Sequence, residues 1–290
     1  MNSRPLTVLD GGLSTQLDAE GATFSGPLWT ARALLETPEL VERAHRAFVE
    51  AGAEIISTAS YQISRSGFLE AGMSVEDADR ALLESVLVAK RASAGTATTV
   101  AASVGPWGAT LHDGSEYRGN YGQSQTFLED FHRERLLVLA EGKPDYFAIE
   151  TIPEITEAKA VCEAIQSVPG IPFWVSFSCS TGTQLASGEP IRDAVLAIQH
   201  TPGLMALGVN CVPPENVESL LREISAVSDL PLIAYPNRGG IWDPDSGEWS
   251  GRHSAPLADW APSWQAAGVS LLGGCCGYGA SDIRELSQSL

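Results

Sequence analysis

Eight short runs of apolar and β-branched residues, separated mostly by amphipathic stretches, leave few folds open to this chain. They are Leu6–Leu9, Glu54–Ala59, Thr98–Val104, Tyr146–Glu150, Pro172–Phe177, Leu204–Val209, Pro231–Tyr235 and Val269–Leu272. Most are continuously apolar rather than alternating, the pattern of parallel strands covered on both faces. The stretches between them carry helix punctuation. TPELVERAHRAFVEAG places Thr37 as N-cap, Pro38 at the first helical position, Glu39 in the first turn and Gly52 at the stop. Ser74 heads VEDADRALLESVLVAKRA, and Pro213-Pro214 opens ENVESLLREI. Strand then helix, eight times over, predicts an α/β chain closed into a single (β/α)8 TIM barrel, although the pattern by itself also fits an open doubly wound sheet. A barrel accounts for all 290 residues, and with neither linker nor internal repeat the chain reads as one domain, 1–290.

A barrel makes a demand on function: reactive groups belong at the C-terminal ends of its strands. Asp10 ends the first run, Glu150 the fourth, Cys211 follows the sixth and Cys275-Cys276 the eighth. The five cysteines are odd in number and scattered, which does not suit a disulfide framework. Cys211 in GVNC and the pair in GGCCG would bring three thiolates together from neighbouring strand ends. Three soft ligands with a fourth position open is a catalytic zinc arrangement. A buried cysteine is equally a small apolar side chain, so the pair alone decides nothing. Cys162 lies in an expected helix and reads as packing. Cys179 follows the fifth run, where it either reaches the mouth or stays outside it.

Other chemistries fit less well. With 36 acids against 18 bases the net charge is −18, which excludes a nucleic-acid surface. That balance favours a cationic small molecule or serves solubility alone. No apolar run reaches the roughly 18 residues of a membrane span, and MNSRPLTVLDGG has no secretory pattern, so a cytoplasmic protein without membrane contact is expected. A Schiff-base barrel would need a strand-end lysine, yet Lys90, Lys143 and Lys159 fall in or beside helices. The first strand–helix junction reads DGGLST, not the G-x-G-x-x-G of a dinucleotide-type site.

LDGGLSTQL, STASYQIS, IETIPEITEA, GVNC, YPN and GGCCG, in that order, span nearly the whole chain. Together they resemble the homocysteine S-methyltransferases, which share their fold with betaine–homocysteine methyltransferase and with the homocysteine module of cobalamin-dependent methionine synthase. SVGPWGATLHDGSEYRGNY, residues 103–121, looks like the branch that uses sulfonium donors, S-methylmethionine or S-adenosylmethionine. The resemblance implies that Cys211, Cys275 and Cys276 bind Zn2+, which activates homocysteine as a thiolate for conversion to methionine. A free thiol is only about 3% ionised at pH 7, and coordination removes that handicap of roughly 2 kcal/mol.

The resemblance further implies that Glu150 receives the substrate ammonium, with Asp10 beside it; aspartate before glycine also commonly caps a turn. Backbone amides near Ser60 and Tyr61 are candidates for the substrate carboxylate, and Asn210 for an oxygen at the open metal position. On the donor side, Glu116 or Asp113 would face a positive sulfur, and Trp107 or Tyr117 would offer it an aromatic face. A salt-bridged lid without donor contact is the alternative. Many members of the sulfonium branch carry arginine directly after the cysteine pair; here Gly277 and Tyr278 follow, which bears on the donor rather than on zinc. Another small thiol or selenol as acceptor, or a zinc- or thiol-binding barrel without turnover, remains compatible with these residues.

Overall fold

The computed structural model describes residues 6–22, 28–239, 241–243, 248–250 and 255–290. In chain order the elements are β1 (Thr7–Val8), α1 (Leu13–Ala19), α2 (Trp29–Glu36), α3 (Pro38–Ala51), β2 (Ile55–Ser57), α4 (Arg65–Glu70), α5 (Val75–Ser93) and β3 (Thr99–Val104). Two short 3-10 turns follow, Trp107–Leu111 and Ser115–Tyr117, then α6 (Gln125–Glu141), β4 (Tyr146–Ile152), α7 (Ile155–Ala164), β5 (Phe173–Phe177), α8 (Ile191–Ile198) and β6 (Leu204–Asn210). The chain ends with α9 (Pro214–Ser225), β7 (Leu232–Tyr235), a hairpin of β8 (Ile241–Asp243) and β9 (Glu248–Ser250), α10 (Leu257–Ala266), β10 (Val269–Leu272) and α11 (Ala280–Ser289).

All eight expected runs form strands. They pair in parallel in the order β1-β10-β7-β6-β5-β4-β3-β2. The ring is completed by a parallel bridge between Leu9 and Ile55. Beside it the Glu54 amide donates to the Val8 carbonyl at 2.8 Å and the Asp10 amide to the Ile55 carbonyl at 3.0 Å. An open sheet would leave these edges unpaired; this one is a closed (β/α)8 barrel.

Two apolar volumes hold it. The larger lies between strands and helices, with Phe48, Phe68, Phe147 and Trp264 fully buried in it. The smaller fills the barrel interior, where Trp174 and Ile233 occupy the space left by Ala101, Ala148 and Ala206. Large beside small is how inward-facing side chains fill a barrel to native density.

The helix signals are largely realised. Ser74 and Asp77 form a reciprocal capping box on α5, Pro38 opens α3, and Gly52 ends it at φ 99°. Thr37 is a correction: its side chain caps nothing on α3, and its hydroxyl donates instead to the Ala33 carbonyl at 3.3 Å. Only this one residue separates α2 from α3, so the hydroxyl bonds back into the helix it leaves. β4 also runs two residues past Glu150, which therefore sits within the strand. The antiparallel β8–β9 hairpin, inserted before the last barrel strand, was not expected from the sequence. Among the described residues no helix is long and apolar enough to cross a membrane.

Candidate active site

The three cysteines converge at the C-terminal mouth. Their sulfurs lie 2.6 Å (Cys211 to Cys275), 3.7 Å (Cys211 to Cys276) and 4.0 Å (Cys275 to Cys276) apart. A tetrahedral ion with metal–sulfur bonds near 2.3 Å needs sulfurs about 3.8 Å apart. Two edges already match, and the third, Cys211 to Cys275, would have to open by about 1.2 Å to hold an ion. The donor set therefore fits a soft divalent metal, with one face of the triangle left for a further ligand.

Backbone contacts hold each cysteine. Cys211 follows β6 at φ 50°, its amide donating to the Tyr235 carbonyl and its carbonyl accepting from the Asn237 side chain. The Cys275 amide donates to the Pro236 carbonyl, and the Cys276 carbonyl accepts from the Arg238 amide. YPN, which begins on the last residue of β7, is thus the clamp for both cysteine segments. Glycines let the first and last strands meet: a Cβ on Gly12 would stand 2.7 Å from the Cys275 carbonyl oxygen, and one on Gly273 2.5 Å from that of Asp10. Gly277 and Tyr278 follow the cysteine pair, and beside them Arg238 comes in from the loop after β7. Its guanidinium stacks 5.4 Å from the Tyr278 ring centre and pairs with Asp282.

Three clustered thiols cannot all ionise without a counter-charge. Hydrogen bonds from Cys211 and Cys275 hold Cys276 well below the ordinary thiol range. Hydrogen bonding to Cys211 and Cys276, together with burial, pushes Cys275 well above it. Cys162 packs inside α7 as expected. Of the two places open to Cys179 the structure takes the outer one: it bridges to Leu185 and packs against the outer core, outside the thiol cluster.

Across the mouth stand two buried carboxyls. The Ser103 hydroxyl donates to Glu150, and Tyr235 also hydrogen-bonds it. Burial pushes Glu150 up to about 7 despite these bonds. Asp10 is not the cap of its own glycine turn. It accepts from the Ser57 amide at 2.6 Å and the Ser57 hydroxyl at 3.3 Å, tying β1 to β2. Burial, with the charge of Glu150 added, pushes Asp10 up to about 8. Among the described residues no ion pair reaches either carboxyl, and burial without a cation is what raises both.

The Asn210 side chain is bonded within the barrel. Its oxygen accepts from the Thr151 amide at 2.7 Å and the Ser176 hydroxyl at 2.8 Å, while its amide donates to the Thr151 hydroxyl at 2.7 Å. The expectation that this oxygen serves the open metal position gives way to a structural role. Thr151, β-branched, sits at φ 61°, a strained conformation that persists only where neighbours impose it. Asn210 imposes it one residue from Glu150 and one from Cys211. Ser60 is buried, its hydroxyl donating to the Ser103 carbonyl at 2.6 Å. The carbonyls of Ser60, Tyr61 and Gly105 all accept from the buried guanidinium of Arg135 on α6. Ser103, Tyr235 and Arg135 were missed in the sequence. An arginine within RER on a helix reads as a solvated face, and only the pairing of loops shows otherwise.

The four residues that the sequence offered for a donor separate in the structure. Asp113 is exposed, caps the Ser115 amide and pairs with Arg118. Trp107 packs edge-on against Tyr121 and Phe127 in the wall. The Tyr117 hydroxyl, however, donates to the Cys211 sulfur at 3.6 Å. Glu116, 8% exposed, has one carboxyl oxygen with no partner. Burial pushes it up to about 7, with the Cys211 sulfur adding to the rise.

A family model described as homocysteine S-methyltransferase matches residues 7–290. The chain is 40% identical over 305 residues to a selenocysteine Se-methyltransferase of Brassica oleracea var. italica, covering 98% of this chain and 88% of the relative. It is 38% identical over 297 residues to the homocysteine S-methyltransferase of Escherichia coli (strain K12), covering 99% and 96%. The crystal structure of the homocysteine methyltransferase MmuM from Escherichia coli in its metallated form superposes with a TM-score of 0.89 at 36% identity, covering 100% and 98% of the two chains.

Proposed function

We propose, because this chain belongs to the homocysteine S-methyltransferase family, that it methylates the sulfur of homocysteine to give methionine, with Zn2+ as its metal and a sulfonium compound as donor. The observation that carries the reading is the convergence of three cysteine sulfurs on one side of a mouth whose other side holds two unpaired buried carboxyls. An amino acid with a thiol one short chain from its ammonium matches that layout. Cys211, Cys275 and Cys276 would hold the zinc, which when bound supplies the Lewis acidity that keeps a substrate thiol ionised at neutral pH.

The chain's own residues do the rest. Glu150, oriented by Ser103 and Tyr235, takes the substrate ammonium, and Asp10 stands beside it as a second carboxyl. The turn at Ser60 and Tyr61, anchored from below by Arg135, offers backbone amides to the substrate carboxylate. Thus held, the sulfur faces the donor side of the mouth. Its lone pair attacks the methyl carbon while the carbon–sulfur bond to the donor breaks, and that bond's electrons stay on the donor sulfur as a neutral thioether. No general base is needed, and the residues contribute mainly alignment and exclusion of water. The likeness to a selenocysteine Se-methyltransferase supports a second reading of the acceptor, a small selenol held by the same groups.

The test is methionine formation from homocysteine with S-methylmethionine, S-adenosylmethionine or betaine, before and after chelation, alongside Cys276→Ser. Zinc-dependent methionine from a sulfonium donor, lost together with bound zinc in C276S, is the expected result. Stoichiometric zinc with no methionine from any donor would overturn the reading.

A further inference from the structure

We infer that Glu116 is the residue that selects a positively charged methyl donor: a buried carboxylate, set against the thiol cluster, that recognises the donor's cationic sulfur and discriminates against its neutral thioether. This rests on the methyl-transfer reading above and extends it to a residue and a charge. Glu116 is 8% exposed, and one of its carboxyl oxygens is buried without any hydrogen-bond partner. A buried carboxylate left so is costly unless a ligand completes it. The neighbouring cation does not do so. Arg118 donates to the Asp113 carbonyl at 2.9 Å, the Asp113 carboxylate at 3.1 Å and the Ser115 hydroxyl at 2.9 Å.

The placement is built rather than incidental. Glu116 lies in the 3-10 turn Ser115–Tyr117, whose next residue, Tyr117, reaches the Cys211 sulfur. The Glu116 carbonyl accepts from the Ser178 hydroxyl at 2.8 Å, which pins the turn to the end of β5. Because Tyr117 touches the Cys211 sulfur, the turn carries Glu116 to the edge of the thiol cluster. Among the described residues no ion pair reaches Glu116, and a cation bound between it and the thiols would complete its unpartnered carboxyl oxygen. A sulfonium suits that position and a thioether does not.

Direction follows from the charges. Transfer of the methyl leaves the donor sulfur neutral, so attraction to Glu116 is present before the reaction and lost after it. Such an interaction strengthens donor binding and speeds product release without lowering the chemical barrier. Its removal falls on the donor's KM.

The experiment compares wild type, Glu116→Gln and Glu116→Asp as zinc-loaded protein with saturating homocysteine. In E116Q the KM for S-methylmethionine rises about tenfold, the size of losing one desolvated charge contact. The inhibition constant of methionine against the donor moves less than about twofold. E116D, which keeps the charge, holds the donor KM within about threefold. Bound zinc and the dissociation constant of homocysteine serve as controls for the acceptor half. An unchanged donor KM in E116Q, or equal weakening of S-methylmethionine and methionine, overturns the inference. If wild type makes no methionine, the transferase reading fails by itself. Calorimetric titration of S-methylmethionine and of methionine into wild type and E116Q then still decides the role of Glu116, by whether the charged ligand alone is weakened.

Discussion

The two halves of the mouth are built differently. On the acceptor side the polar groups sit on or immediately beside strands: Asp10 after β1, Glu150 in β4, Asn210 at the end of β6. Each is held by hydrogen bonds to other strands, at 2.6 to 2.7 Å for the shortest at Asp10 and Asn210. On the donor side Glu116 and Tyr117 ride on a 3-10 turn in a loop, fastened by Ser178 beneath and by an Arg118–Asp113 pair whose side chains are 60% and 52% exposed. A strand end fixes a group to the precision of the barrel; a loop turn fixes it only as well as its few anchors do. On the function proposed above, the strand-borne half would suit one small amino acid, and the loop-borne half is where donor choice could drift without disturbing the fold.

If that contrast holds, the largest effect outside the cysteines belongs to Asn210→Ala. It removes three buried hydrogen bonds and releases Thr151 from its strained conformation. The expected loss is about 3 kcal/mol of stability by urea denaturation, with a fall in kcat/KM for both substrates. A change under about 1 kcal/mol would show that the acceptor half is not rigidly locked.

Next comes Glu150→Gln, which keeps the Ser103 bond but loses the charge facing the ammonium. Homocysteine should bind roughly thirtyfold more weakly, as for a charged hydrogen bond of about 2 kcal/mol, with the donor KM little altered. An equal effect on the donor would merge the two halves.

pH sharpens the comparison further. Glu150 and Asp10 both have folded values raised by burial, to about 7 and about 8. A carboxyl raised on folding contributes stability that is fully present below its unfolded pKa near 4 and is lost as pH rises through the folded value. The ligand-free protein should therefore melt lower as pH rises from 6 to 9. An ammonium ligand offsets the buried negative charge that forms as these carboxyls ionise, so the rise in melting temperature on adding homocysteine should be larger at pH 8 than at pH 6. A ligand effect independent of pH in this window would remove the carboxyl pair from the acceptor site.

The smallest effect belongs to Arg118→Ala on the donor loop. An exposed pair contributes less than about 1 kcal/mol, so global stability should barely change while the donor KM rises about two- to threefold. A homocysteine effect of the same size would show that the loop also shapes the acceptor half.

Much of this was legible in the residues. Continuous apolar runs can only be buried strands when helices cover both faces, so all eight strands and their order of appearance followed from local pattern. Pro38, Gly52 and the Ser74 box acted as punctuation because their effects need only neighbours a few residues away. Cys211 and the Cys275-Cys276 pair stood out because cysteine beside glycine at a strand end is a chemically narrow choice. Thr37 misled for the converse reason: two acceptors competed for one hydroxyl, and the choice depended on how closely α2 abuts α3. Arg135 and Ser103 carried no local signal, since an arginine on a helix and a serine in a strand are ordinary until their partners arrive from loops distant in sequence.

What the sequence determined by itself was therefore the set of elements and the side of the barrel on which chemistry gathers, because both depend on periodicity and on where strands end. Only the tertiary structure decided which polar groups face one another. It closed β1 onto β2 through Asp10 and Ser57, turned Asn210 from a metal-ligand candidate into the brace for Thr151, and separated Glu116 at the thiols from Asp113 in solvent. These outcomes depend on distances across the ring between residues far apart in the chain. Burial, which turns such distances into strong or weak electrostatics, exists only once the barrel has closed.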